Sequence, residues 1–157
     1  LLLQISVLLH ACGKFISIKN SNECSYNIIM STEIIGISHL EREIIANVVR
    51  YNIRDFDYNK VRMETELDAV TNSFGGQNEV MLLIAKLTAI LRLANSMDRG
   101  HGDKLADCKM AVKDGKLMIT TDYPGDITLE AVSFEQKAAF FEEIFGIRPV
   151  LRHKKYR

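Results

Sequence analysis

The 157 residues carry 20 basic and 20 acidic side chains, for a formal net charge of zero. That balance speaks against a general nucleic-acid coat or a membrane-surface protein, although it leaves room for a local basic patch. A hydrophobic share of 47% and a charged share of 25% fit a soluble globular chain with enough apolar material to build a core without staples.

Residues 1–13 read as a buried helix, apolar nearly all round, with Gly13 as its C-cap. The run Leu1 to Leu9 is too short to span a bilayer and lacks the basic flank of a signal peptide. A cut inside or just before a buried helix explains it better, so the chain is expected to be a piece of something larger. Asn20 and Asn22 offer N-caps for a short helix through Met30. Ser38 with Glu41 forms a capping box, and Ile44, Ile45, Val48 and Val49 make the apolar face of the helix that follows. Glu43, Asn47 and Arg50 fall on another face of it.

Residues 52–77 are polar and weakly periodic, with one short helix expected around Glu64 to Val70 and Gly75-Gly76 closing the stretch. Residues 78–98 give the strongest helical pattern, from Val80 through Leu83, Ile84, Leu87 and Leu91 to Ala94. Thr88, Arg92, Asn95 and Arg99 step by helical spacing and share one stripe.

The pattern changes after about Lys104. Met110 and Val112 alternate with polar residues, Asp114-Gly115 follows, and Leu117 and Ile119 alternate again, which predicts a hairpin with a two-residue turn. Pro124-Gly125 marks a turn, and Ser133 with Gln136 reads as a second capping box. Phe134, Ala138, Phe141 and Phe145 then form a helical stripe stopped by Gly146. Ile147 to Leu151 reads as an edge strand, because Pro149 cannot donate to a ladder. The fold class expected is therefore mainly α, with a helical domain over residues 1–104 and a small α+β subdomain, strand-strand-helix-strand, over 105–157. Cys12, Cys24 and Cys108 match no zinc-ribbon spacing and read as free thiols in a reducing cytoplasm.

Several segments together carry a resemblance. Leu8 to Ile16 is similar to the helix that holds the His-Asp pair of HD-type domains. Cys24 to Ile29, Ile35 to Ala46 with Arg50-Tyr51, Lys86 to Asn95 with Asp98 to His101, and Phe134 to Val150 follow in order. The chain so resembles the C-terminal, HD-like region of the Ppx/GppA family of exopolyphosphatases and guanosine pentaphosphate phosphohydrolases. The resemblance implies that the catalytic carboxylate and the glycine-rich phosphate loops belong to an N-terminal, actin-like half, of which nothing is seen here. It implies inorganic polyphosphate or pppGpp as substrate and a homodimer; a cytoplasmic location is expected with it, and the charge balance gives the expectation of no membrane or nucleic-acid partner.

An HD-type phosphohydrolase holds a divalent metal through imidazole and carboxylate ligands, and the metal activates water and neutralises phosphate charge. By the resemblance, His10 matches a ligand. Ala11 stands where the aspartate of the pair is expected, Ser21 and Cys24 near expected histidines, Asn52 at a further histidine, and Asn95 at the last aspartate. Alanine offers no donor, and a neutral amide is a poor substitute for a carboxylate beside a hard cation. No cofactor is expected for this stretch, with magnesium left to the full-length enzyme; His10 is expected to be a core histidine satisfied by a backbone carbonyl.

The resemblance also implies a phosphate-chain-binding wall made by Arg50, Arg92, Arg99 and His101, since guanidinium forks suit phosphate oxygens. The plainer reading is a salt-bridged helix face with Glu43 and Asp98 as partners. The tail from Arg148 to Arg157 is basic and either is solvated or contacts polyphosphate or RNA. The phenylalanines Phe134, Phe140, Phe141 and Phe145 are expected to pack in the core or form a dimer surface. Two alternatives stand beside the phosphatase reading: a catalytically dead HD-like binding or dimerisation module, and a residual HD phosphohydrolase acting on a nucleotide.

Overall fold

A computed structural model describes residues 1–64 and 76–154. The expected helix around Glu64 to Val70 and the Gly75 half of the glycine pair fall largely outside those residues. The described elements are helices α1 (Leu2–Leu9), α2 (Ser21–Ser31), α3 (His39–Arg50), α4 (Tyr58–Glu64) and α5 (Gln77–Met97), then strands β1 (Lys109–Lys113) and β2 (Lys116–Thr121), helix α6 (Thr128–Phe145) and strand β3 (Arg148–His153). The fold is mainly α followed by strand-strand-helix-strand, as the patterning predicts. Contacts divide the chain into two compact units, Leu1–Leu91 and Arg92–Arg157. The division falls inside α5, upstream of the 104/105 boundary suggested by the change of pattern.

In the first unit α3 is the central helix. Its residues Glu43 to Arg50 are all buried. Ile44 and Val48 join Tyr51, Val61, Val80, Ile84 and Leu91 in one apolar cluster. Ile45, Ala46 and Val49 join Ile29 in a second, with Leu2, Ile5 and Leu9 of α1 packed on it. Two adjacent apolar rows on one helix thus feed two cores, and each fully buried Ile or Val contributes about 1.5–3 kcal/mol relative to exposure. The box at its start is complete: Ser38 Oγ accepts from the Glu41 amide, and the Ser38 amide donates to Glu41 Oε2 at 2.8 Å. Helix α5 is long and apolar enough to cross a membrane by length and composition, but Val80, Ile84, Ala85, Ala89 and Leu91 are spent on burial within the protein.

The first helix departs from expectation. It ends at Leu9, and a 3-10 turn, Cys12–Phe15, replaces its last turn. Gly13 lies inside that turn instead of capping α1. Its amide donates to Ser25 Oγ at 2.8 Å, and a Cβ there would run into the Ser21 carbonyl oxygen and the Ser25 amide of α2. Glycine is needed for this close approach of backbones. Nor is α1 buried all round, since Leu8 is 81% exposed.

In the second unit the strand order is β1-β2-β3, antiparallel then parallel. Asp114 and Gly115 have φ of 50° and 70° and join Lys113 to Lys116, which is the geometry of a type I′ hairpin turn. Pro149 lies on edge strand β3, and Gly146, at φ 70°, stops α6 in the left-handed conformation. Helix α6 begins at Thr128, not at Ser133. Asp126 Oδ1 accepts from the Thr128 amide at 3.0 Å and from its hydroxyl at 2.6 Å, so the chain turns into the helix one and a half turns earlier than the Ser133/Gln136 pair suggests. Phe134, Ala138 and Phe141 form its buried stripe, and Phe141 stacks on Phe145 with centroids 4.5 Å apart.

Candidate functional site

Arg50, in the last turn of α3, is 7% exposed. Its Nε donates to Glu23 Oε1 of α2 at 2.9 Å, and its guanidinium lies 4.5 Å from the Tyr26 ring centroid and 5.9 Å from that of Tyr51. Arg54 pairs with the same carboxylate. Burial acts to raise the Glu23 carboxyl, but the hydrogen bond and charge of Arg50, with Arg54 and Lys60, outweigh it and hold the group below the usual carboxylate value. The chemistry available to Arg50 is therefore largely committed to tying α2 to α3.

Arg92, at the start of the second unit, is also 7% exposed, and its guanidinium covers the Phe140 ring of α6 at 4.5 Å. Asn95 is half-buried one turn later. Beyond Met97 the chain forms a tight loop in which His101 and Asp103 take left-handed backbone, at φ 49° and 51°. Aspartate and histidine are among the non-glycine residues that adopt this conformation most readily. Glu130, 1% exposed on α6, anchors the loop: it accepts from the Gly100 amide at 3.1 Å and from Lys104 Nζ at 3.2 Å. Lys104 Nζ also donates to the Asp126 carbonyl at 3.0 Å. The loop thus held presents Arg99 and His101 to solvent. His101 Nδ1 lies 3.6 Å from Asp98 Oδ2, with its side chain 80% exposed.

The four residues expected to form a phosphate wall therefore fall into two kinds. Arg50 and Arg92 are buried under aromatic rings; Arg99 and His101 are open on one loop. The residues that sequence reasoning missed are Glu23, Tyr26, Glu130 and Lys104. Glu130 left a signal, since it lies four residues before Phe134 on the same apolar stripe of α6.

The HD-type ligand set does not fit a metal in what this chain offers. His10 donates Nδ1–H to the Val7 carbonyl at 2.6 Å, leaving one ring nitrogen. Ala11 has no donor atom, Cys24 is a half-buried thiol on α2, and Asn95 offers only a neutral amide. Among the described residues no three His, Cys, Asp or Glu side chains converge. No step through a metal follows from these residues.

Residues 1–137 match Ppx/GppA phosphatase, domain III. The chain belongs to the Ppx/GppA phosphatase family. No curated protein matches it. The Ppx/GppA domain III match takes in all of the first unit, the Glu130-anchored loop and half of α6, while β3 lies beyond it.

Proposed function

We propose that this chain is the substrate-side, non-catalytic part of a Ppx/GppA phosphatase that removes terminal phosphates from inorganic polyphosphate or pppGpp. In this reading Arg99 and His101 meet the phosphate chain, while Arg50 and Arg92 each serve the framework of their own unit. Catalysis, with any magnesium, resides in an actin-like half of the same cytoplasmic, homodimeric protein. The observation that carries the reading is the loop 98–104, which aims a guanidinium and an imidazole at solvent from a buried Glu130 anchor.

The test is phosphate release and binding by the chain itself. Supplied with magnesium and long-chain polyphosphate or pppGpp, it should release no orthophosphate but retain the chain in a filter-binding measurement. Arg99→Ala with His101→Ala should weaken retention at least fivefold. Turnover by the chain alone, or retention unchanged in the double variant, would overturn the reading.

A second reading, a binding or dimerisation module without chemistry, draws on one further observation. Leu8, Phe15, Ile18 and Ile35 are 81%, 97%, 85% and 100% exposed. Exposed apolar side chains mark a partner surface where they lie together, and sedimentation analysis of the chain tests this: a monomer at all concentrations would remove the second reading.

A further inference from the structure

The three strands separate charge by face. Residues opposite each other in register point the same way, and their side chains alternate along each strand. Lys109, Thr120 and Arg152 share one rung; Ala111, Met118 and Val150 the next but one; Lys113, Lys116 and Arg148 the third. All of these lie on one face. Ile119, Thr121 and Pro149, which are buried, lie on the other. The first face therefore carries five cations and no carboxylate, in a chain whose net charge is zero.

Arg148 is neutralised: it donates to Glu142 Oε2 at 2.8 Å and pairs with Glu135. The other four are exposed, and among the described residues no ion pair involves Lys109, Lys113, Lys116 or Arg152. A shallow groove runs over β2 between them. Lys109 and Lys113 of β1 border it on one side, Arg152 and Lys154 on the other, and Ala111 and Met118 line it between. With strands about 4.8 Å apart and residues about 3.4 Å apart along them, the cations frame an area of roughly 10 by 14 Å.

We propose that this sheet face binds single-stranded nucleic acid without regard to sequence. Cationic walls with an apolar floor match a chain that is itself amphipathic. The phosphodiesters reach the lysines and Arg152, and the flat faces of the bases lie over Met118 and Ala111, a polarisable and adaptable surface. A chain of bare phosphates is charged on every side and would lose water over Met118 without recompense. The nine strand residues of this face include no aromatic ring and only the Thr120 hydroxyl among neutral polar side chains, and His153 at the rim of the groove has its Nε2 engaged by the Tyr123 carbonyl, so base edges meet few groups that could read them. This inference is independent of the role given to Arg99 and His101.

Fluorescence anisotropy of the whole 157-residue chain with a labelled twelve-nucleotide oligouridylate tests it. Binding should occur at low salt, with an equal affinity for oligothymidylate. It should weaken with a slope of about −3 in log K against log salt, as expected for four phosphates neutralised on a single strand. Lys109→Glu combined with Arg152→Glu should reduce affinity at least tenfold, with the circular-dichroism melt unchanged because both side chains are exposed. Lys14→Glu with Lys19→Glu, exposed cations of the first unit, should leave affinity within twofold. The proposal is overturned by an absence of binding at low salt, by equal losses in the two double variants, or by inorganic polyphosphate of the same charge binding this face more tightly than the oligonucleotide.

Discussion

The Arg50 guanidinium lies over the Tyr26 ring, 4.5 Å from its centroid, while its Nε donates to Glu23. One side chain thereby makes a face contact and an edge contact at once, both to α2 and both from the last turn of α3. Only a planar guanidinium can stack and donate in the same pose. Arg50→Ala should lower the stability of the chain to urea by about 2–3 kcal/mol, from a partly desolvated cation–ring contact and a charge-assisted hydrogen bond. Arg50→Lys should recover less than half of that. A loss below about 0.5 kcal/mol, the range of an exposed pair, would mean that the contact is not structural.

The same node sets a pH dependence. Glu23 is held below its ordinary value of 4.5 because Arg50, Arg54 and Lys60 outweigh the effect of burial. A carboxyl whose folded value is depressed contributes stability that is complete above the unfolded value and is lost as pH falls through the folded one. Stability should therefore decline as pH drops below about 4.5, and Glu23→Gln should flatten that part of the profile while lowering the plateau near neutrality. Parallel acid profiles for the two proteins, measured by thermal melts from pH 3 to 7, would remove Glu23 from the account.

Much of this fold was legible because its signals are local. The Ser38/Glu41 box, the Asp114-Gly115 turn and the Gly146 stop each sit within four residues of the structure they specify. Pro149 marks an edge strand for the same reason. The fate of the arginines was not legible. Arg50 is paired with a carboxylate 27 residues away, and Arg92 is covered by a ring on a different helix. The resemblance implied an open wall, and the stripe that holds Arg92 gives direction around its helix and not what stands opposite. The start of α6 was missed because Asp126 and Thr128 make an Asx-type turn ahead of a more conspicuous Ser-x-x-Gln. The basic sheet face needed the register of three strands, one of them placed by a parallel crossover.

Arg92 and Arg99 share a helical spacing and should behave differently when removed. Arg92 is 7% exposed over Phe140, whereas Arg99 is exposed beyond the end of α5. Arg92→Ala should lower stability by about 2 kcal/mol through the lost ring contact and the lost packing of its stem. Arg99→Ala should leave stability within about 0.5 kcal/mol, the usual range for a surface change, and weaken polyphosphate retention instead. Denaturant titrations beside filter binding on both variants separate the two roles. Equal stability losses would place both arginines in the framework.

The buried acid on α6 offers the sharpest test of how the loop 98–104 is held. Glu130 is 1% exposed and Lys104 25% exposed, and their contact joins the Gly100 amide and the Asp126 carbonyl in one polar cluster. Removing one partner of such a pair leaves the other charge poorly solvated, at a typical cost of about 3–5 kcal/mol, whereas replacing both with apolar groups is often close to neutral. Glu130→Ala should therefore be strongly destabilising, and Glu130→Leu with Lys104→Met should recover most of the loss. The double variant still lacks the acceptor for the Gly100 amide, so the loop keeps the bonds of the His101 and Asp103 amides to Asp98 but loses its tie to α6. Amide exchange across residues 98–104 should then quicken at least tenfold even where global stability is restored. Unchanged exchange in the double variant would show that the loop keeps its conformation without Glu130.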